Sequence, residues 1–251
     1  MSQPAPLPRV ARPVDAVVER LRRDILSSAF PPGEHLPPER SLAAALGVSR
    51  LTLRAALARL EAEGLVRARQ GDGVRVLDVG EHGTLGLLAH MDLGKRPEVL
   101  RSFLELRRAV AAEAVALACE RASDERIDAL ERLAALQLAE TDDAAYAKRD
   151  VEFAREVLRA SESFATLLLF NALAPVYEAH PKLSRALIAD RERSLAGYAL
   201  TVALLRARDA GRARTAVREA LEQVDAAALA LLAPKSAKKA PTKAAKKRGA
   251  R

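Results

Sequence analysis

LPPERSLAAALGVSRLTLRAALARLEAEGLVRARQGDGVRVL, residues 36–77, decides how the front of this chain folds. Apolar residues recur at helical spacing on either side of Gly47, and then alternate around Gln70-Gly71-Asp72-Gly73. The spacing predicts a helix over about 38–46, ended by Gly47 in the left-handed role that glycine fills without strain. Ser49 has the short hydroxyl side chain of an N-cap, and predicts a second helix over about 50–63 that Gly64 closes. Leu65–Arg69 and Val74–Leu77 alternate like strands, so the glycine-rich stretch between them is a hairpin turn. Upstream, Val14, Val17, Val18, Leu21 and Ile25 predict a helix over about 13–28, with Pro13 in its first turn and Phe30-Pro31-Pro32-Gly33 as its stop.

On a wheel of the helix over 50–63, Leu53, Ala56, Leu57 and Leu60 form one stripe, which is expected to pack on the two preceding helices. Leu51, Arg54, Ala55 and Ala58 lie roughly opposite, and Arg50 flanks them near the N-terminus. Three helices followed by a two-stranded wing make a winged helix-turn-helix. A helix whose outer face carries small residues and two arginines near its start fits the major groove of double-stranded DNA. The wing, with Arg69, Gln70 and Arg75, is then placed beside the backbone or the minor groove. The plainer alternative is a helical hairpin with solvated arginines. It would need four elements with matching caps to fall in this order by chance.

Composition sets the outer bounds. Of 251 residues 49% are hydrophobic but only 3% aromatic, with no Trp, and Ala, Leu and Arg dominate. Such residues lose little freedom in helices, so a mainly α chain is expected. Cys119 has no second cysteine to pair with and suits a reducing cytosol. No apolar run approaches the ~20 residues of a membrane span, and the opening MSQPAPLPRVARP lacks an apolar signal core. A soluble cytoplasmic protein with no membrane partner is expected. The net charge of +8 comes from the end: residues 234–251 carry eight basic residues and no acid, leaving 33 basic against 33 acidic elsewhere. Residues 1–78 are slightly basic and 79–233 slightly acidic. DNA at the front and a small ligand in the middle fit that split. The segment PKSAKKAPTKAAKKRGAR is low-complexity. It reads as a disordered basic arm that adds non-specific phosphate contacts, or as a solubilising tail.

Beyond the wing, residues 79–97 are glycine-punctuated and read as a linker with one helical turn at most. From Pro97 the pattern turns helical over about 98–121, 124–140, 143–160, 163–179, 182–207 and 210–231, with Pro175 expected to kink the fourth stretch. The expected fold is mainly α: an N-terminal winged helix-turn-helix (1–78), a linker (79–97), a C-terminal antiparallel α-helical bundle (98–233) and a disordered basic tail (234–251). Bundles of this kind build ligand cavities between their helices.

The stretch PPGEHLPPERSLAAALGVSRLTLRAALARLEAEGLVRARQGDG resembles the signature of GntR-family regulators, especially the FadR-type branch. The resemblance implies that Arg40, Ser49, Arg50, Thr52, Arg54, Gln70 and Gly71 occupy DNA-contacting positions. Arg40 would clamp phosphate, Arg50 and Arg54 would read guanine edges or phosphates, and Gly71 would let the wing tip approach closely. Leu51 stands where relatives usually carry Thr or another small polar residue. It would meet a thymine methyl, which implies a departure from the usual operator.

The second half resembles the FCD-like ligand-binding domain of the same branch, through LELRRAVAAEAVALACERAS (104–123), DVEFAREVLRASES (150–163) and LLRARDAGRARTAVREAL (204–221). In many relatives one Asp and three His hold a divalent metal there. Carried over by position, Asp150 remains, while Ala154, Tyr198 and Ala220 stand at the His positions. One carboxylate does not hold a transition metal tightly, so no metal and no other cofactor is expected. The four histidines, His35, His82, His90 and His180, are scattered and none pairs at helical ligand spacing. Arg107 matches a cavity-facing arginine of the family. With Asp150, Asn171 and Tyr198 it forms the candidate effector site, suited to an acyl chain, an acyl-CoA or another hydrophobic acid. The bland reading is that Arg107 and Asp150 pair with each other or face water, and that the domain only dimerises.

The leading functional reading is a sequence-specific transcription regulator, a homodimer on a short palindromic operator, answering to a small acid. The alternative is an architectural protein that uses the wing domain and Lys-rich tail without sequence choice. The sequence holds no G-x-S-x-G, no P-loop, no G-x-G-x-x-G before a helix and no metal-ligand cluster, so catalysis is not expected.

Overall fold

A computed structural model describes residues 13–232. The N-terminal stretch and the basic arm over 234–251 lie outside the described residues. The first helix, α1 (Pro13–Leu26), buries Val17, Val18, Leu21 and Ile25 and stops two residues short of the expected end, where Ser28 turns left-handed at φ 61°. α2 (Glu39–Ala45) and α3 (Arg50–Ala62) follow, and the chain turns through 104° between them. That lies in the range of helix-turn-helix units. Ser49 caps α3 as expected: its hydroxyl accepts from the Thr52 amide at 3.1 Å. The buried residues of α3 are Leu53, Ala56, Leu57 and Leu60, the stripe read from the sequence.

Two short strands form the wing. β1 (Val66–Arg69) pairs antiparallel with β2 (Gly73–Val76), with Val66 opposite Val76 and Arg69 opposite Gly73. β1 begins one residue later than expected, because the Leu65 amide still bonds to Leu60 O at the end of α3, and β2 is shifted one residue toward the turn, running from Gly73 to Val76 rather than from Val74 to Leu77. Gly64 joins helix to wing at φ +74°, and a Cβ there would lie 1.8 Å from His82 O. The position is therefore closed to any other residue by both backbone conformation and space. Leu36, Leu42, Leu65, Val74 and Val76 complete the small core of this domain.

Residues 79–97 hold more structure than the linker with one helical turn at most that was expected. Asp78 caps a one-turn helix, α4 (Val79–His82), by accepting from the Gly80 amide at 2.7 Å. A 3-10 helix follows over Leu85–His90. Its Leu87 is buried in the wing-domain core, whereas Leu93 is buried in a cluster with Leu100, Phe103 and Leu173 of the second domain. Arg96 reaches back to donate to Leu26 O, and His180 Nε2 lies 3.2 Å from Leu88 O. Two apolar anchors six residues apart, one in each core, turn the segment into an ordered strap. Its glycines masked this because they interrupt any periodic pattern.

The second domain is a bundle of seven helices rather than six: α5 (Pro97–Arg121), α6 (Asp124–Ala139), α7 (Asp143–Ala160), α8 (Phe164–Ala179), α9 (Pro181–Leu187), α10 (Arg191–Ala207) and α11 (Ala210–Leu232). The stretch expected over 182–207 breaks at Ile188–Asp190, where Asp190 accepts from the Arg193 amide at 3.0 Å and restarts the helix as α10. α8 runs on through Pro175 without ending. α5 and α11 pack against each other. Ala112 and Ala116, one turn apart on α5, and Ala213 on α11 are buried in one core cluster, and such small side chains let two helix axes approach closely.

Candidate DNA interface and helical cavity

α3 presents a face of arginine, leucine and alanine to solvent. The Arg50 and Arg54 side chains are each 64% exposed, and Leu51 is 80% exposed. Ala55 and Ala58 continue the face, and Thr52 is half-buried beside the Ser49 cap, their hydroxyls 2.8 Å apart. Arg40 is exposed at the second position of α2. Gln70 and Gly71 are exposed at the wing tip, with Gly71 at φ +83°. An 80% exposed Leu has no folding rationale; on a groove-entering helix it would meet a base methyl.

Two features of this surface escape sequence reasoning. The first is Glu39, at the start of α2. Its Oε2 accepts from Arg54 Nε at 2.8 Å and lies 3.9 Å from Arg50 Nη2. Arg54 is fifteen residues away in sequence, so only the helix-turn-helix fold brings the three together. The second is the cross-strand pair of Arg67 opposite Arg75, both exposed on the outer face of the wing. Like charges directly opposite each other destabilise a hairpin. A row of phosphates would relieve that repulsion.

In the second domain a cavity of about 310 Å³ opens between α5, α7, α8, α10 and α11. Its walls are mainly apolar, with Val110, Phe153, Val157, Phe170 and Leu173 among them. Arg107, Asp150, Tyr177 and Tyr198 add polar groups to this lining. Arg107 Nη1 bonds to Asp225 Oδ1 at 2.6 Å, and Arg108 Nη1 bonds to the other oxygen at 2.8 Å. Arg107 therefore pairs with Asp225 of α11, not with Asp150. Asp225 is 1% exposed and gave no periodic signal as a partner.

The Tyr198 hydroxyl donates to Asp150 Oδ1 at 2.6 Å, and Gln137 Nε2 reaches the same hydroxyl at 3.3 Å. Burial pushes the Asp150 carboxyl above the usual carboxylate range, against the pull of Tyr198 and Arg107. Burial and the neighbouring Asp150 both push Tyr198 up, so it stays a neutral donor. Burial works to lower Arg107, but Tyr177, Asp225 and Asp150 outweigh it and the guanidinium is held more firmly charged.

Asn171 is a correction. It is exposed on α8 outside the cavity, where its Oδ1 accepts from Arg155 Nη1 at 2.8 Å. The α8 pattern is too uniformly apolar to show from sequence which side faces the bundle, so the expected place inside does not hold. Asp150, Ala154, Tyr198 and Ala220 do line the one cavity together. They supply one carboxylate already bonded by a phenol, and two methyl groups. That donor set does not fit a divalent transition metal. Among the described residues no cluster of three His, Cys, Asp or Glu stands ready to hold a metal ion elsewhere.

Comparison with known proteins bears on both sites. Residues 13–76 match the model of the bacterial regulatory proteins of the gntR family, and residues 102–223 match the FCD domain. The chain is 37% identical over 168 residues to the transcriptional regulator Mce2R of Mycobacterium tuberculosis, covering 65% of this chain and 70% of that one. It is 30% identical over 180 residues to the fatty acid metabolism regulator protein of Pasteurella multocida, covering 70% and 73%. In fold it is similar to a solved structure reported for Lar, which controls the agr system of Listeria monocytogenes. There the TM-score is 0.54 at 22% identity, over 92% of this chain and all of that one.

Proposed function

The chain belongs to the GntR family of bacterial regulators, a DNA-binding transcription regulator with an FCD effector domain, and from that premise we propose that it binds a short palindromic operator as a homodimer under the control of a small hydrophobic acid. The observation that carries the DNA half is the outward face of α3, where two arginines flank an 80% exposed leucine. Two such faces related by a two-fold axis would read two half-sites, one turn of the duplex apart or a multiple of it. Arg40 and the Arg67–Arg75 pair would hold phosphates, and Arg50, Leu51 and Arg54 would meet base edges. The protein would act in the cytoplasm, where the chromosome is, and turn over no substrate.

The effector half rests on the cavity. Its apolar walls suit an aliphatic body, and the charged layer around Arg107 suits a single acidic head group. The name of the Pasteurella relative points the same way. The head group would meet the protein directly, with no metal between, because Asp150 is the only carboxylate at the four positions. Binding would shift the equilibrium between dimer arrangements by the ~1–3 kcal/mol typical of such coupling.

Selection of bound sequences from a randomised duplex pool tests the DNA half. A palindromic consensus bound at two chains per duplex is expected, whereas recovery of unrelated sequences would favour the architectural alternative. A thermal-shift series with straight-chain carboxylates of four to twelve carbons tests the effector half. Stabilisation that peaks at one length and is lost in Arg107→Ala is expected, and no shift at any length would defeat it.

A further inference from the structure

The Glu39 contacts on the reading face have no role in folding that their geometry explains. The two side chains of the closer pair are 64% and 28% exposed, and ion pairs this open contribute little to stability. A carboxylate also opposes DNA binding by its charge. As the first residue of α2, Glu39 has a charge that complements the helix N-terminus, but that does not require its oxygen to hold Arg54, and this contact calls for a reason in recognition.

The atoms supply one. A guanidinium reads guanine by setting two parallel N–H groups against O6 and N7. In Arg54 the Nε is occupied by Glu39 Oε2, and among the described residues the two terminal nitrogens carry no bond. The edge formed by Nη1 and Nη2 remains complete, and the side chain is fixed at its root. We propose that Glu39 is a positioning residue that makes Arg54 a guanine reader. It holds the Nε, leaves the terminal edge for the base, and disfavours the competing Arg54–phosphate contact by placing a negative charge beside it. Arg50, 3.9 Å from the same oxygen, is steered more weakly and keeps more freedom. This rests on the reading of α3 as the helix that enters the major groove.

The test uses the full chain and the operator recovered from a randomised pool. Affinity is measured for that operator, for versions with each G·C pair replaced in turn, and for random duplex, across a range of salt. E39Q is expected to melt like the wild type and to bind random duplex several-fold more tightly. The penalty for losing the guanine read by Arg54 is expected to fall about tenfold. E39D should restore part of that penalty. In an Arg54→Ala background E39Q should change base discrimination no further. Wild-type discrimination in E39Q, or an equal effect with and without Arg54, overturns the proposal. Failure of the wild type to select any sequence would instead defeat the groove-reading assignment of α3 itself.

Discussion

Arg50 and Asp150 show how differently one charged side chain behaves on the surface and inside the bundle. Arg50 is 64% exposed and its ion-pair distance to Glu39 is a long 3.9 Å, so it contributes little to the fold. Arg50→Ala is expected to keep the wild-type melting temperature while losing about tenfold or more in operator affinity over random duplex, by gel-shift competition. An unchanged ratio would remove Arg50 from the reading face. Asp150 titrates in the interior. Its carboxyl is raised above the value it has in the unfolded chain, so the folded state holds the proton more tightly. Stability is then fully present below about pH 4, the ordinary carboxylate value, and is lost as pH rises through the raised one. Asp150→Asn keeps an acceptor for Tyr198 and removes the titration. Its melting temperature relative to wild type should climb as pH goes from 4 to 7, and a constant difference would mean that burial costs the carboxylate nothing. The sequence marked Arg50 and Asp150 by position and type. It did not mark Glu39 or Asp225, because a partner fifteen or 118 residues away leaves no periodic trace.

The elements differ in how openly they announce themselves. α3 was legible to within a residue, since its stripe, its Ser49 cap and its Gly64 stop all act within the helix itself. The strap and the break between α9 and α10 were not legible. Both depend on where single apolar residues find a distant core, as Leu87 and Leu93 do, and on one capping Asp within an apolar pattern. Gly64 is where helix, wing and strap meet. Gly64→Ala puts a methyl against His82 O in a backbone region that alanine resists. A loss of more than ~1 kcal/mol in denaturant unfolding is expected, with weaker operator binding because the wing tilts away. The α5–α11 seam has its own weak point. Asp225→Ala leaves Arg107 and Arg108 without a counter-charge in the bundle, and breaking a buried pair from one side costs ~3–5 kcal/mol. These guanidiniums keep 17–20% of their exposure, so the lower end of that range is expected. Asp225→Asn, which still accepts hydrogen bonds, should lose less.

Across the whole molecule, one line of contacts joins the cavity to α3. α8 lines the cavity with Phe170, Leu173 and Tyr177, and His180 at its end lies 3.2 Å from Leu88 O in the 3-10 helix. The neighbouring Leu87 is 2% exposed in the same core as Leu53, Leu57 and Leu60 of α3. A ligand that moves α8 would therefore pull on a segment whose other end is seated beneath α3. Coupling of this kind is reciprocal: whatever factor a ligand applies to operator affinity, operator must apply to ligand affinity. With octanoate as the probe, the two factors are expected to agree and to lie between about 5 and 150, in whichever direction the ligand acts. His180→Ala removes one link without entering the cavity. It should leave octanoate affinity of the free protein unchanged and bring both factors down together toward one. Octanoate that binds the wild type and leaves operator affinity untouched would show that the strap joins the domains mechanically but carries no signal.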